Sequence, residues 1–238
     1  VSALVYPSIL LVVATASLFL MLGLVVPQFQ ELFDDMGDGL PMLTLIVIAA
    51  ADFVKAWFWL IGLVMAGGIW WFRRYLKTPR GQRRWHKQLL GMPLVGTIVF
   101  EFEVARFSRS LGTLLRNGVP LLRALDIALE TVGNVVLRAA LQSLSPAVKA
   151  GQRMSVALAE TRMFTPLVIQ MTRVGEESGA LDDMMLELAK VFDDNVSTGV
   201  KRGLTLLEPA LILGMGLIIG FIIVAIILGL MSANNLAA

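Results

Sequence analysis

The acidic pairs Glu176-Glu177, Asp182-Asp183 and Asp193-Asp194, and the one histidine, His86, are residues here whose types and spacing could do chemistry. Adjacent carboxylates can hold a divalent cation. They can equally form a solvated helix face, and Asp182 and Asp183 suit the start of a helix, where the macrodipole favours negative charge. The second reading is preferred, so no metal ligand is expected. His86 follows a basic run and reads as a solvated or interfacial side chain; one histidine cannot build a histidine cage. The absence of cysteine excludes a thiol catalyst, a cysteine zinc site and a disulfide framework. No Gly-x4-Gly-Lys-Ser/Thr phosphate loop, His-Glu-x-x-His or Gly-x-Ser-x-Gly occurs. The sequence therefore predicts no catalytic residue, no cofactor site and no enzyme.

The elements around these residues are mostly apolar. Hydrophobic residues make up 57% of the 238 and charged residues 16%, against roughly 25% charged in an average soluble domain. So few charges could not cover a soluble surface, and intrinsic disorder is excluded because disordered chains are poor in apolar residues. The chain reads as a membrane protein. It begins at Val1, not Met, and so reads as processed, trimmed or a fragment.

Charge-free runs give the architecture. No charge occurs from Val1 to Gln30, which exceeds the ~20 residues needed to span the hydrocarbon. A signal peptide competes here, with Ala14-Thr15-Ala16 as a cleavage-like site, but no basic region precedes it and apolar residues continue beyond it. A second run, Ala56 to Phe72, carries Trp57, Trp59, Trp70 and Trp71 near its ends, as an interfacial aromatic belt does. The third run is Pro209 to Ala238. The expected segments are a first transmembrane helix over 1–26, a periplasmic acidic loop or helix over 27–52, a second transmembrane helix over 53–72, a cytoplasmic helical bundle over 73–205, a third transmembrane helix over 206–231 and a periplasmic tail over 232–238. Of the 20 Lys and Arg, all but Lys55 lie from Arg73 to Arg202, whereas Glu31, Asp34, Asp35, Asp38 and Asp52 follow the first run. The positive-inside rule then places the middle domain in the cytoplasm. The basic run 73–87 reads as a topology determinant beside anionic headgroups rather than as a nucleic-acid site.

The fold class is all-α: a polytopic membrane protein with three transmembrane helices and a cytoplasmic antiparallel bundle. Phe100, Val104, Phe107, Leu111, Leu114 and Leu115 recur at helical steps, with Glu101, Glu103, Arg106 and Arg109 off that stripe. Asn117-Gly118 ends this helix, and Pro120 opens the next at its first position. Leu121, Leu122, Leu125 and Ala128 or Leu129 form the following stripe. Gly133-Asn134 breaks again, one helix covers Val135–Lys149, and short helices follow near Ser155–Ala159 and Pro166–Gly175. From Leu181 a stripe of Met184, Met185, Leu188, Phe192, Val196, Val200 and Leu204 predicts one long helix into the bilayer, with Pro209 as a possible bend. Met184 and Met185 are core filler on it. The third run carries Gly216-x3-Gly220, a spacing that lets helices pack closely. No charge lies within the core of a span, and Glu208 stands only at the entry of the third. That disfavours the alternative of a small membrane channel or transporter subunit.

Several stretches together resemble a known family: Ala3-Leu4-Val5-Tyr6-Pro7, Val25-Val26-Pro27, Phe33, Leu40-Pro41-x2-Thr44, Pro93-x2-Gly96, Ala105-Arg106-Phe107-x2-Ser110-Leu111, Gly118-Val119-Pro120-Leu121-Leu122-x-Ala124-Leu125, Phe164-Thr165-Pro166-Leu167, Met171, Val174-Gly175-Glu176-Glu177-Ser178-Gly179-Ala180-Leu181 and Glu208-Pro209. In this order they resemble the inner-membrane platform protein of bacterial type II secretion and type IV pilus machines, the secretion F / pilus C family. The tail departs from it, because many relatives end with a proline after the last span and this chain runs on to Asn234-Asn235. The resemblance implies a non-enzymatic scaffold of the bacterial inner membrane, of which this chain covers about the second half. It implies as partners a hexameric assembly ATPase, other inner-membrane assembly proteins, pilin-like subunits and further copies of the chain; nucleic acid is not expected. Gly175 and Gly179 then bracket a tight helix connection with Ser178 as an N-cap, while Glu176 and Glu177 present charge to a partner. Gly118 and Pro120 are first a turn and second a contact surface.

Overall fold

The computed structural model describes residues 5–29 and 41–236. Ala3, Leu4, Phe33, Leu40 and the acidic residues Glu31, Asp34, Asp35 and Asp38 lie outside them. The described residues are almost wholly helical: α1 (Val5–Leu20), a π-helical turn (Met21–Val25), α2 (Met42–Leu76), α3 (Pro79–Gly91), α4 (Val95–Arg116), α5 (Leu121–Thr131), α6 (Val135–Gln142), α7 (Leu144–Lys149), α8 (Met154–Glu160), α9 (Pro166–Ser178) and α10 (Leu181–Leu236). The chain divides into two compact units, residues 1–71 with 201–238, and residues 72–200.

The first unit is apolar. Among the described residues two helices are long and apolar enough to cross a membrane, Ser8–Phe29 and α10, over Leu181–Ser232. Counting each sharply bent helix pair as one span raises this to at most four, with Met42–Trp57 and Gly62–Leu76 one such pair. Helix α2 begins at Met42, so residues 42–52, expected as loop or helix, are helix. Their apolar side belongs to a small core in which Val26, Val47, Ala51, Ile222, Ala225 and Ile226 are buried together. Buried Thr44 donates its hydroxyl to the carbonyl of Ala225 at 2.6 Å. A hydroxyl in apolar surroundings needs such an acceptor.

The second unit is a helical bundle around Val104, Phe107, Leu111, Ala124, Leu125, Leu137, Leu141, Leu144, Met154, Leu158, Met185, Leu188 and Phe192. Helices α4 and α10 run antiparallel. Ile98 lies against Gly199, Glu101 bonds Asn195, Arg109 pairs with Asp193 and Arg116 with Asp183. Three expectations change here. Pro120 is the residue before α5 rather than its first, and its carbonyl accepts from Ala124 N. Leu122 is exposed, because the buried side of α5 turns toward Ala124 and Leu125. The helix expected over Val135–Lys149 is two, broken at Ser143. Pro146 has no N–H for a fourth-residue bond, and the break puts it in the first turn of α7, where none is required.

Between α3 and α4 the chain makes a strained turn. Leu94 has φ 66° and ψ −56°, and Val95 N bonds Pro93 O at 2.8 Å. This is the γ-turn of disfavoured hand. Gly96 permits it, since a Cβ there would stand 2.3 Å from the carbonyl of Leu90. Strain of this kind costs about 1–3 kcal/mol, and glycine gives back roughly 0.5–1 kcal/mol of it through unfolded-state entropy. Because the Leu94 side chain is exposed, Leu94→Gly is expected to raise the unfolding midpoint of the bundle by a few degrees, and Leu94→Ala is not. Thermal unfolding of the two variants compares them directly.

Candidate functional site

The Gly175–Leu181 motif is built at the meeting of α8, α9 and α10. Helix α8 is short, and its N-cap residue Arg153 offers no side-chain cap. The first backbone N–H groups of any helix lack internal partners. Glu176, on α9, supplies them from another helix. Its carboxylate accepts from Met154 N at 2.5 Å, Ser155 N at 3.2 Å and Ser155 Oγ at 2.6 Å. Glu177 points elsewhere, to an exposed pair with Arg153 at 3.4 Å. The adjacent acids therefore do different things: one is built into the fold, the other faces solvent.

Gly179 ends α9 in the left-handed conformation at φ 73°, which glycine adopts without Cβ strain. Gly175 lies a turn earlier, buried, where a Cβ would come within 2.9 Å of Leu181 Cα. Ser178 is not the N-cap of α10. It sits in the last turn of α9, where its Oγ donates to Val174 O at 2.7 Å and accepts from Ala180 N at 3.4 Å. Helix α10 starts instead with Asp182 and Asp183 in its first turn.

The Gly118–Pro120 turn belongs to the same end of the bundle. The bond from Arg116 to Asp183, 2.5 Å long, ties the last residue of α4 to the first turn of α10. Gly118, two residues on, has φ 78° and open space around it. The structure thus brings the two sequence motifs to one end of the α4–α10 pair. Glu208, Gly216 and Gly220 lie on α10 within the apolar unit. Among the described residues outside α10's own backbone, no heavy atom stands within 4 Å of a Cβ built on Gly216 or Gly220, and Gly216 is exposed.

The acidic pairs do not converge, and among the described residues no group of three or more His, Asp and Glu could hold a metal ion. Asp183 and Asp193 each face an arginine of α4 instead.

Sequence reasoning missed a second polar junction. Glu103 is buried, against the expectation that it lies off the core, and its carboxylate accepts from Gly133 N at 2.6 Å. His86, expected to be solvated or interfacial, is half-buried, and its Nδ1 accepts from Val135 N at 3.0 Å. Buried Asn134 caps α6 by accepting from Val136 N and Leu137 N. Arg138 donates from Nε to Val132 O at 2.8 Å. Four polar side chains thus fix the connection from α5 to α6. The Gly133-Asn134 break was the available signal, but not the residues that hold it.

Apolar helices long enough to cross a membrane share the described chain with an all-helical bundle, as fits a membrane protein. The family model described as type II secretion system (T2SS), protein F, matches residues 107–229. The chain is 37% identical over 234 residues to type II secretion system protein F of Pseudomonas aeruginosa, covering 98% of this chain and 58% of that protein. It is 36% identical over 236 residues to the protein of that name in Xanthomonas campestris, covering 99% and 58%. It is 33% identical over 235 residues to type IV pilus assembly protein PilC of Pseudomonas aeruginosa, covering 98% and 63%. The chain belongs to the type II secretion system protein F family, and it spans about three fifths of the length of the curated relatives it matches.

Proposed function

We propose that this chain forms part of the non-enzymatic inner-membrane platform of a type II secretion or type IV pilus machine. The family match carries the reading, because it covers most of the bundle and the last apolar helix together. Relatives bearing secretion names and relatives bearing pilus names align along nearly the whole chain. In this reading three helices span the membrane, and the positive-inside rule sets the bundle in the cytoplasm. The bundle meets a hexameric assembly ATPase. The Gly216–Gly220 face of the last helix meets a pilin-like subunit or a second platform chain, since small residues four apart admit a close helix. The motif end around Glu177, Gly118 and Pro120 is the part of the bundle offered to partners, with Glu176 holding it in shape.

Crosslinking the full-length protein in its native membranes, followed by identification of what copurifies, tests the proposal. Recovery of the assembly ATPase and pilin-like subunits is expected, and the identity of those subunits separates secretion from pilus assembly. Their reproducible absence in cells actively assembling filaments would overturn it.

A further inference from the structure

We propose that the outward face of α3 is a binding surface for anionic phospholipid headgroups of the cytoplasmic leaflet. The proposal rests on α2 being a membrane helix, and is independent of which machine the chain serves.

Arg80, Arg83, Arg84 and Lys87 follow one another at helical spacing and are all exposed. Among the described residues none of the four has an acidic partner in an ion pair. No Asp or Glu occurs between Asp52 and Glu101. The arrangement is unfavourable within the chain itself. Like charges three and four residues apart repel. Arg80 lies in the first turn of α3, where the macrodipole disfavours a cation, and no acid lies in that turn to offset it. An external anion relieves both effects.

The helix is held rigidly in this pose. Thr78 caps it by accepting from Gly81 N at 3.2 Å and donating to Tyr75 O at 2.7 Å. A Cβ on Gly81 would stand 2.3 Å from Tyr75 O, so α3 begins jammed against the last turn of α2. On its other side Trp85 meets Phe72 edge-on at 5.1 Å, and His86 and Leu90 face the bundle. The apolar side is therefore already occupied, and only the cationic side is left to solvent. Two shallow crevices open on it. One of about 460 Å³ is lined by Arg80, Arg83, Arg84, Lys87 and Val136, the other of about 570 Å³ by Tyr75, Thr78, Pro79, Arg80 and Arg84. Each is of a size for a headgroup phosphate with its glycerol. Only Lys77 and Thr78 separate α2 from α3, which favours a lipid over a soluble partner. Juxtamembrane clusters of this size are attracted to anionic leaflets.

The test uses the full chain with Gln88→Cys, a single cysteine in a chain that has none, carrying a fluorophore. It is reconstituted in vesicles of phosphatidylcholine, or of phosphatidylcholine and phosphatidylglycerol in equal parts, each with the same trace of nitroxide-headgroup lipid. Phosphatidylglycerol is expected to increase quenching. The apparent affinity for it should fall at least about tenfold in Arg80→Gln/Arg83→Gln/Arg84→Gln/Lys87→Gln, each lost cation near an anionic surface weakening attraction by roughly fivefold. Arg80→Lys/Arg83→Lys/Arg84→Lys retains it and should unfold at the parent temperature, while the glutamine variant should unfold no lower than the parent, because the side chains are exposed and their mutual repulsion is relieved. Quenching indifferent to phosphatidylglycerol, or unchanged in the glutamine variant, overturns the proposal. Displacement by inorganic phosphate but not by chloride of equal ionic strength would assign the site to soluble phosphate. A label shielded only after a cytoplasmic protein is added would assign it to an acidic protein surface. Either result also overturns the lipid assignment, while leaving the platform reading intact.

Discussion

Glu176→Ala is expected to destabilise the helical bundle by about 3 kcal/mol, whereas Glu177→Ala changes it by less than about 0.5 kcal/mol. Hydrogen bonds to a charged group contribute about 1.5–3 kcal/mol each and do not simply add. The Glu176 carboxylate accepts three, two from the unpaired N-terminal amides of α8 and one from the hydroxyl of Ser155, which is buried. Truncation leaves all three donors without their acceptor and leaves α8 without a cap. Glu176→Gln keeps one acceptor oxygen and should fall between. Glu177 and Arg153 are more than half exposed, and such pairs contribute about 0–1 kcal/mol. For a bundle of this size about 1 kcal/mol corresponds to roughly 3–5 °C in the midpoint, so thermal unfolding separates the neighbours clearly. Equal losses from both would show that the motif acts through its total charge and not through the cap.

Gly112→Val should do at least as much damage, roughly 3 kcal/mol or more, through sterics alone. A Cβ at position 112 would lie 2.8 Å from Asp182 O and 2.8 Å from Leu186 Cγ. One of these is backbone, so α4 and α10 must separate. Separation also loosens the Arg116–Asp183 pair and unpacks Leu111, which is fully buried. Gly118→Ala is the matched control. Space is open there, and only the left-handed conformation opposes a side chain, at about 1–2 kcal/mol. Limited proteolysis in membranes should find the valine variant cut rapidly and the alanine variant nearly intact. A valine variant as resistant as the parent would mean the two helices do not meet at this glycine.

What could be read from the residues, and what could not, divides along contact range. The stripes on α4 and α10, the breaks at Asn117-Gly118 and Gly133-Asn134, and the single helix from Leu181 onward are local patterns. They were legible because burial repeats every three to four residues and turns need particular backbone angles. Glu103 was misplaced because periodicity sorts side chains by type, and a carboxylate at the edge of a core stripe is buried only when a donor such as Gly133 N meets it. The partners of His86 and Glu176 were out of reach for the same reason: they lie 49 and 22 residues away. Pro146 was a local signal, and it accounts for the break at Ser143. The motif Gly175–Leu181 was visible as a turn, but only the fold assigns its two glutamates to different tasks.

The hydroxyl of Thr44 and the carbonyl of Ala225 are 181 residues apart in the chain. At synthesis rates of roughly 5–20 residues per second the second group leaves the ribosome about 10–35 s after the first. Everything from Phe72 to Val200, a unit with its own core, is made in that interval. The apolar core of Val26, Val47 and Ala51 with Ile222, Ala225 and Ile226 therefore cannot close until after that unit has been made. Until then the early helices wait among lipids or on an insertion factor, and a chain cut short before Ile222 would present that incomplete surface to membrane quality control.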